Sequence, residues 1–296
     1  MSDSTRATDS YAARFCAVLE HIDAHLDDEL TNERLSRVAR SSVFHFQRQF
    51  AALFTTSAHR YVQLLRLSRA AQTLAYRVET PIVDVALGAG YDSHEAFSRA
   101  FKRAVGQTPS EFRSTPDWSA AREAFAPIEH ARRIQVTTRP IAIEVEIREF
   151  PETRVAILEH RGDPQKLDDT VRTFIAWRKQ FHSPPSVSAT FNVLYNDPGA
   201  VEPEAFRLDV CASSDHAIAP NPFGVRDGTI PKLRCAVFRH VGTEPSLFAA
   251  IGRIYAEWLP SSREEPGDFP LFLQRVRFYP DVAAHEAITD VFVPLR

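Results

Sequence analysis

The spacing of apolar positions changes along the chain, and the changes divide it. From Tyr11 to Leu26, the residues Phe15, Val18, Leu19, Ile22 and Leu26 recur at steps of three and four, which predicts a helix with one buried stripe. A short helix follows, capped by Thr31, with Leu35, Val38 and Ala39 facing inward. Arg40-Ser41 forms a turn, and Ser42 or Ser41 caps a helix to Phe54 whose Phe46 and Phe50 are core. Residues 57–76 read as a longer helix with Tyr61, Leu64, Leu65, Leu67, Ala71 and Leu74 buried, spanning about 30 Å. Pro81 suits the first turn of a further short helix, and Gly90 supplies the tight turn after it. A helix then covers Ser93–Val105, with Phe97 and Phe101 inside, and a last short one runs from Thr108-Pro109 to about Arg113. Residues 1–10 are polar and expected to be disordered. Residues 115–140 read as a linker with one uncertain helical piece around Trp118.

From Ile141 the period becomes two. Ile141, Ile143, Val145 and Ile147 alternate with Ala142, Glu144, Glu146 and Arg148, the pattern of a half-buried strand. The predicted organisation is therefore an all-α double helix-turn-helix unit over 10–114, a linker over 115–140, and an α+β unit over 141–296.

Both units repeat internally. A slide of 51 places lays Ser42 on Ser93, Phe46 on Phe97, Arg48 on Arg99 and Phe50 on Phe101, and a slide of 47 lays Val38-Ala39 on Val85-Ala86, so one loop is expected to differ by four residues. In the second half a slide of 80 pairs Arg154 with Arg234, Ala156 with Ala236, His160 with His240 and Gly162 with Gly242. Leu208–Ala212 is echoed by Thr289–Val293. Two β-α-β-β units with helices on one sheet face are expected, leaving the other face as an open groove.

Charge sharpens the division. The chain carries a net −3, but residues 31–113 hold 12 Lys and Arg against 6 Asp and Glu, so a module of +6 is attached to material of −9. No run of about 18 apolar residues is present, so no membrane span is expected, and the polar start offers no secretory signal. The expected compartment is the cytoplasm. Cys16, Cys211 and Cys235 are far apart and form no zinc spacing, so they read as small buried hydrophobes. No catalytic constellation, metal site or cofactor is expected.

A helix that reads DNA needs side chains reaching base edges in the major groove. In the first helix the candidates are Ser42, Phe44, Gln47 and Arg48; Phe44 suits a thymine methyl, Gln47 adenine, and Arg48 guanine or a phosphate. In the second they are Ser93, His94, Glu95, Ser98 and Arg99; Glu95 accepts only from cytosine and repels phosphate. Lys102, Arg103, Arg40 and Arg60 are placed for phosphates. The helix over 57–76 is long enough to hold two readers in adjacent grooves, about 34 Å apart.

With SVFHFQRQF and PIVDVALGAGYDSHEAFSRAFKRAVGQTPSEFR in place, residues 15–113 resemble the AraC/XylS-type DNA-binding region, two homeodomain-like helix-turn-helix units joined by a long helix. The resemblance implies a transcription regulator whose partners are double-stranded DNA and RNA polymerase. Residues 141–296 resemble the GyrI-like small-molecule-binding domain, through IPKLRCAVFRHVG, IYAEWLP and TDVFVPLR. That implies a hydrophobic groove for an amphipathic or cationic effector. Trp177, Phe191, Tyr195, Tyr255, Trp258 and Phe272 are candidate lining residues, with Glu286 and Asp290 as candidate acids. Cation binders of this kind carry a glutamate in a P-x-F-E pattern, where this chain has Leu273. Two other readings stand beside it: a regulator whose second half binds a protein, and, as the resemblance to GyrI-like proteins implies, a hydrolase, for which a carboxylate positioned with a tyrosine is required.

Overall fold

The computed structural model describes residues 3–138 (backbone alone for 3–11), 143–197, 199–279 and 281–296. Its contacts fall into two compact units, 1–141 and 142–296.

The first unit is helical throughout. Helix α1 (Asp3–Ala24) starts earlier than Tyr11, so the backbone of residues 3–10, expected to be disordered, is helical. Phe15, Val18, Leu19 and Ile22 are buried on it. Then come α2 (Asn32–Val38), α3 (Val43–Phe54), α4 (Ala58–Tyr76), α5 (Ile82–Gly88), α6 (His94–Val105) and α7 (Pro109–Ser114). Their starts follow from local chemistry. Thr31, Ser42, Ser57, Ser93 and Thr108 each accept, through the side-chain oxygen, the backbone N–H three residues on. Pro81 is the N-cap of α5 rather than a residue of its first turn.

The core is aromatic. Phe15 stacks on Phe46 at 6.0 Å, Phe50 meets Phe54 at 4.7 Å, and Phe101 meets Phe112 at 5.5 Å. The two helix-turn-helix units align at an offset of 50 through α2 and α5, whose C-caps are Ala39 and Ala89, and at 51 through α3 and α6. The turns thus differ by one residue, not four. The Val-Ala dipeptide misleads because Ala39 ends its helix whereas Ala86 lies buried inside α5.

The larger departure is α8 (Trp118–Thr138), in the stretch expected to be a linker. Ala121, Phe125, Ile128 and Ala131 belong to the same core as the reading helices, and α8 packs on α1, α3, α4 and α6. Arg132 reaches the Asp23 carboxylate on α1 with both terminal nitrogens, Nη1 to Oδ2 at 2.6 Å, and the pair is buried.

The second unit is one antiparallel sheet of eight strands with helices: β1 (Glu146–Phe150), β2 (Thr153–Arg161), β3 (Thr190–Leu194), β4 (Arg207–Ser213), β5 (Arg226–Ile230), β6 (Leu233–Val241), β7 (Leu271–Arg277) and β8 (Ile288–Pro294). Helix α9 (Leu167–Gln180) follows β2. Helix α10 (Glu244–Arg253) follows β6 and runs through a π turn (Ile254–Trp258) into α11 (Leu259–Ser262). The strand order β1-β6-β8-β7-β3-β4-β2-β5 reads as two β-α-β-β units joined at β7 and β3. Each unit also has a leading strand that pairs with the other unit: β1 with β6, and β5 with β2. Pro151 and Pro231, just after β1 and β5, stand where a tight hairpin would otherwise close. Of the half-buried strand expected from Ile141, Ile141 and Ala142 lie outside the described residues. Ile143 and Val145 pack against the helix-side core, and Ile147 is exposed on β1.

The repeated residues hold the repeated geometry. His160 on β2 bonds Thr170 of α9 at 2.8 Å, and His240 on β6 bonds Ser246 of α10 at 2.9 Å, so each imidazole ties a strand end to the next helix. Gly162 and Gly242, at φ +102° and +143°, make the bend between them, where a side chain would be strained.

Candidate nucleic-acid interface and ligand face

On α3 the buried side is Phe46, Phe50 and Phe54, which fixes the helix by burial. The opposite side therefore carries Ser42, Phe44, Gln47 and Arg48, all exposed. Phe44 is 81% exposed, the highest value for a large hydrophobic among the described residues. On α6 the buried Phe97, Phe101 and Val105 leave His94, Glu95, Arg99, Lys102 and Arg103 outward, with Ser98 half-buried. Neither Arg48 nor Arg99 enters an ion pair among the described residues.

Beyond the capping roles of Ser42 and Ser93, four candidates are partly engaged: Glu95, His94, Ser98 and Arg60. The Glu95 carboxylate is held below the usual carboxylate range by its own backbone N–H and by the Ser93 hydroxyl, so it stays ionised at the start of α6. Ser98 Oγ lies 3.5 Å from His94 Nε2. Arg60 donates to Gln63 Oε1 at 2.8 Å. Arg40 is exposed in the turn between α2 and α3 at φ +51°, in the left-handed region; Gly90 has φ +77° in the corresponding turn of the second unit. An arginine held where glycine is favoured costs about 1 kcal/mol.

The eight ligand candidates do not come together. Phe191 and Phe272 lie on the sheet face away from the helices, where Phe150 meets them at 5.9 and 4.9 Å and Phe292 stacks on Phe272 at 4.7 Å. All four rings are buried, so this face, expected as an open groove, is filled by its own aromatics. Asp290 shares the face and accepts two bonds from Arg239, at 2.7 and 2.8 Å. Tyr195 lies near the other end and donates its hydroxyl to Asp209 Oδ2 at 2.9 Å. Burial and the Asp209 carboxylate push that phenol up to about 12.

Trp177 is on the opposite face, buried against Phe174 under α9. Trp258 packs on the helix-side core, and Tyr255 is exposed on the π turn. Glu286 is exposed and accepts the backbone N–H of Ala283. Leu273 also faces the helix-side core, so the position where the resemblance places an acid does not look onto the aromatic face. Aromatic content shows that a residue is buried, but it does not show on which face.

The sequence reading passed over the polar row beside the aromatics. Glu159 stands directly opposite Asp209 across β2 and β4, as Arg239 stands opposite Asp290 across β6 and β8. Arg207 lies over the Tyr195 ring at 3.6 Å and bonds Glu159 at 3.1 Å. Asp209 is 1% exposed, its Oδ1 has no partner, and burial raises its carboxyl above the usual range. The signal was present in the echo of Leu208–Ala212 in Thr289–Val293, which pairs Asp209 with Asp290.

Comparison with known proteins agrees with this division. Residues 35–115 match the helix-turn-helix domain model, and residues 143–296 match the model of the GyrI-like small molecule binding domain. The probable transcriptional regulator YgiV of Escherichia coli is 38% identical over 156 residues, which cover 52% of this chain and 98% of that one. The regulatory protein SoxS of Salmonella typhimurium is 34% identical over 96 residues, 32% of this chain and 89% of its own. The right origin-binding protein of Escherichia coli is 36% identical over 99 residues, 33% of this chain and 34% of its own. No helix among the described residues is long and apolar enough to cross a membrane. The chain belongs to the GyrI-like small-molecule-binding family and carries, ahead of that domain, a helix-turn-helix domain of the AraC type, the composition of a transcriptional regulator.

Proposed function

We propose that this protein is a sequence-specific DNA-binding regulator whose α3 and α6 enter neighbouring major grooves, and whose activity is modulated by a small amphipathic ligand at the aromatic sheet face. The observation that carries the DNA reading is the exposed side of α3. Phe44, Gln47 and Arg48 stand outward on a helix fixed from behind by three buried phenylalanines. Ser42 and, on α6, Ser93, His94, Glu95, Ser98 and Arg99 complete the reading set, and Arg40, Arg60, Lys102 and Arg103 hold phosphates.

Binding selection from a random DNA pool, followed by titration of the selected site, tests this. Gln47→Ala and Arg48→Ala should each cost about 1–3 kcal/mol on the selected site and relax its sequence preference. Lys102→Ala should weaken all sequences alike and flatten the salt dependence by about one unit. Selection that returns no preferred site would sink the reading.

The ligand reading rests on the polar row beside the buried phenyl rings. An amphipathic molecule would replace ring–ring contacts with its apolar part and reach Asp209 or Asp290 with its polar part. Hydrolysis at this face is the second reading: Tyr195 donating to Asp209 at 2.9 Å is the carboxylate with a tyrosine that such chemistry requires, but Asp209 is 1% exposed and closed to a substrate while the rings stay in place. Thermal-shift screening of the full chain with neutral and cationic amphiphiles tests the ligand. Phe272→Ala should abolish any shift that Lys179→Ala, on the outer side of α9, leaves intact.

A further inference from the structure

Two rows of side chains cross the sheet next to each other on the face away from the helices. The pairing registers string Glu159, Asp209, Val193, Phe272 and Phe292 into one row. They string Arg239, Asp290, Gln274 and Phe191 into the other, which runs the opposite way. Each row thus has a carboxylate in second place, but only one of the two is closed. Asp290 takes Arg239 on both oxygens, at 2.7 and 2.8 Å. Asp209 has Glu159 where that arginine would stand. It receives Tyr195 on Oδ2, and its Oδ1 has no donor among the described residues, although the residue is 1% exposed. A buried acceptor without a donor is destabilising, and a bound molecule that brings a donor relieves it.

The surrounding charges decide which kind of donor fits. Arg207 and Arg226 come within 3.7 and 3.9 Å of Asp209 Oδ2, and both also pair with Glu159, as Arg161 does. Three guanidinium groups therefore face two carboxylates. A cationic head would enter a cluster that is already positive, and an anionic head has no proton to offer Oδ1. A hydroxyl or an amide N–H supplies the missing bond and adds no charge. Given a ligand at the aromatic face, as proposed above, we infer that its head is an uncharged hydrogen-bond donor seated on Asp209 Oδ1, and that its apolar tail lies along the row over Val193, Phe272 and Phe292. Asp290 takes no part, because Arg239 occupies both its oxygens. From Asp209 to Phe292 the row crosses three strand spacings, about 14 Å, the reach of an alkyl chain of roughly ten carbons.

Calorimetric titration of the full chain with decanol, decyl methyl ether, decylammonium and decanoate tests this, since these probes share one tail and differ in the head. Decanol should bind about tenfold tighter than each of the others; the ether is the critical comparison, being neutral yet unable to donate. Asp209→Asn should remove that margin, because Tyr195 takes the single amide oxygen and the amide N–H groups are left facing the ligand. Arg226→Glu, at a side chain that is half exposed, leaves Asp209 untouched and turns the positive excess into a negative one. It should bring decylammonium to the affinity of decanol or beyond. Binding that Phe272→Ala abolishes, but in which the ether or decylammonium equals decanol, would overturn the inference and leave the aromatic face as the ligand site. Equal losses in Asp209→Asn and Asp290→Asn would do the same. Failure of every probe to bind would overturn both readings.

Discussion

Removing the Arg132 side chain tests whether residues 118–138 belong to the reading unit or merely tether it. Arg132 reaches Asp23 with two nitrogens and also donates to Gln135 Oε1 at 2.9 Å. The two side chains of the pair are only 6% and 10% exposed, so Arg132→Ala would leave a carboxylate buried without its counter-charge. Breaking such a pair costs about 3–5 kcal/mol, whereas removing both charges for apolar side chains of similar size is close to neutral. With a urea dependence of about 2 kcal/mol/M, the midpoint of the helical unit should fall by roughly 2 M in Arg132→Ala and recover most of that in Asp23→Leu/Arg132→Met. The measurement is urea unfolding of the full chain, with amide exchange followed by mass spectrometry to separate α1 and α8 from the sheet unit. A midpoint change below about 0.3 M, or α8 amides that exchange freely in the native protein, would refute the reasoning. Because α8 backs α3 and α6, the single variant should also weaken DNA binding, and the double variant should restore it.

Three shorter predictions follow from the same geometry. Arg40→Gly should leave stability unchanged or raise it by up to about 1 kcal/mol, by relieving the φ of +51°, yet lower DNA affinity; thermal unfolding and titration on one site separate the two. Ser93→Ala should cost about 1 kcal/mol, measured by urea unfolding, because the hydroxyl accepts from Ala96 N at 3.2 Å. His240 is held below its ordinary 6.5 chiefly by burial, so below pH 6.5 the unfolded chain binds the extra proton more readily. Its contribution is therefore complete above pH 6.5 and is lost as the pH falls through the folded value. The stability difference between pH 7.5 and pH 5 should shrink in His240→Gln, and an unchanged difference would count against the buried, neutral imidazole.

The helical half was largely legible because its signals are local. A capping oxygen acts within one turn and starts α2, α3, α4, α6 and α7, and a stripe of phenylalanines four apart marks α3 and α6. Helix α8 was read only as a short piece around Trp118 within a linker, because Ser, Thr and Pro flank it, while its apolar residues acquire meaning only against α1, α3, α4 and α6. The β-α-β-β repeat was legible from its identical residues. The crossing of β1 and β5 to opposite units was not, since nothing in a five-residue strand states which long-range partner it will have. The ligand face was misjudged for a related reason. Phe272 and Leu273 are apolar neighbours on β7, and only the pleat decides that one faces away from the helices and the other towards them.

The duplication also offers a way to separate what holds the fold from what the fold is used for. The positions that stayed identical between the two copies, His160 and His240 or Gly162 and Gly242, make the strand-to-helix junctions, which the geometry demands twice. The positions that diverged are not needed by the junctions. Glu159 became the counterpart of Arg239, and the carboxylate opposite it, Asp209 in one copy and Asp290 in the other, therefore lies beside an acid in one half and inside a closed ion pair in the other. At the β7 bulge that stands where Tyr195 does in the other copy are Val276 and Arg277, so only one half can donate a phenol to its aspartate. A pseudo-symmetric scaffold would serve equally well with matched ends. The differences therefore fall on the polar row, the surface where a bound molecule, rather than the fold, would set the residue.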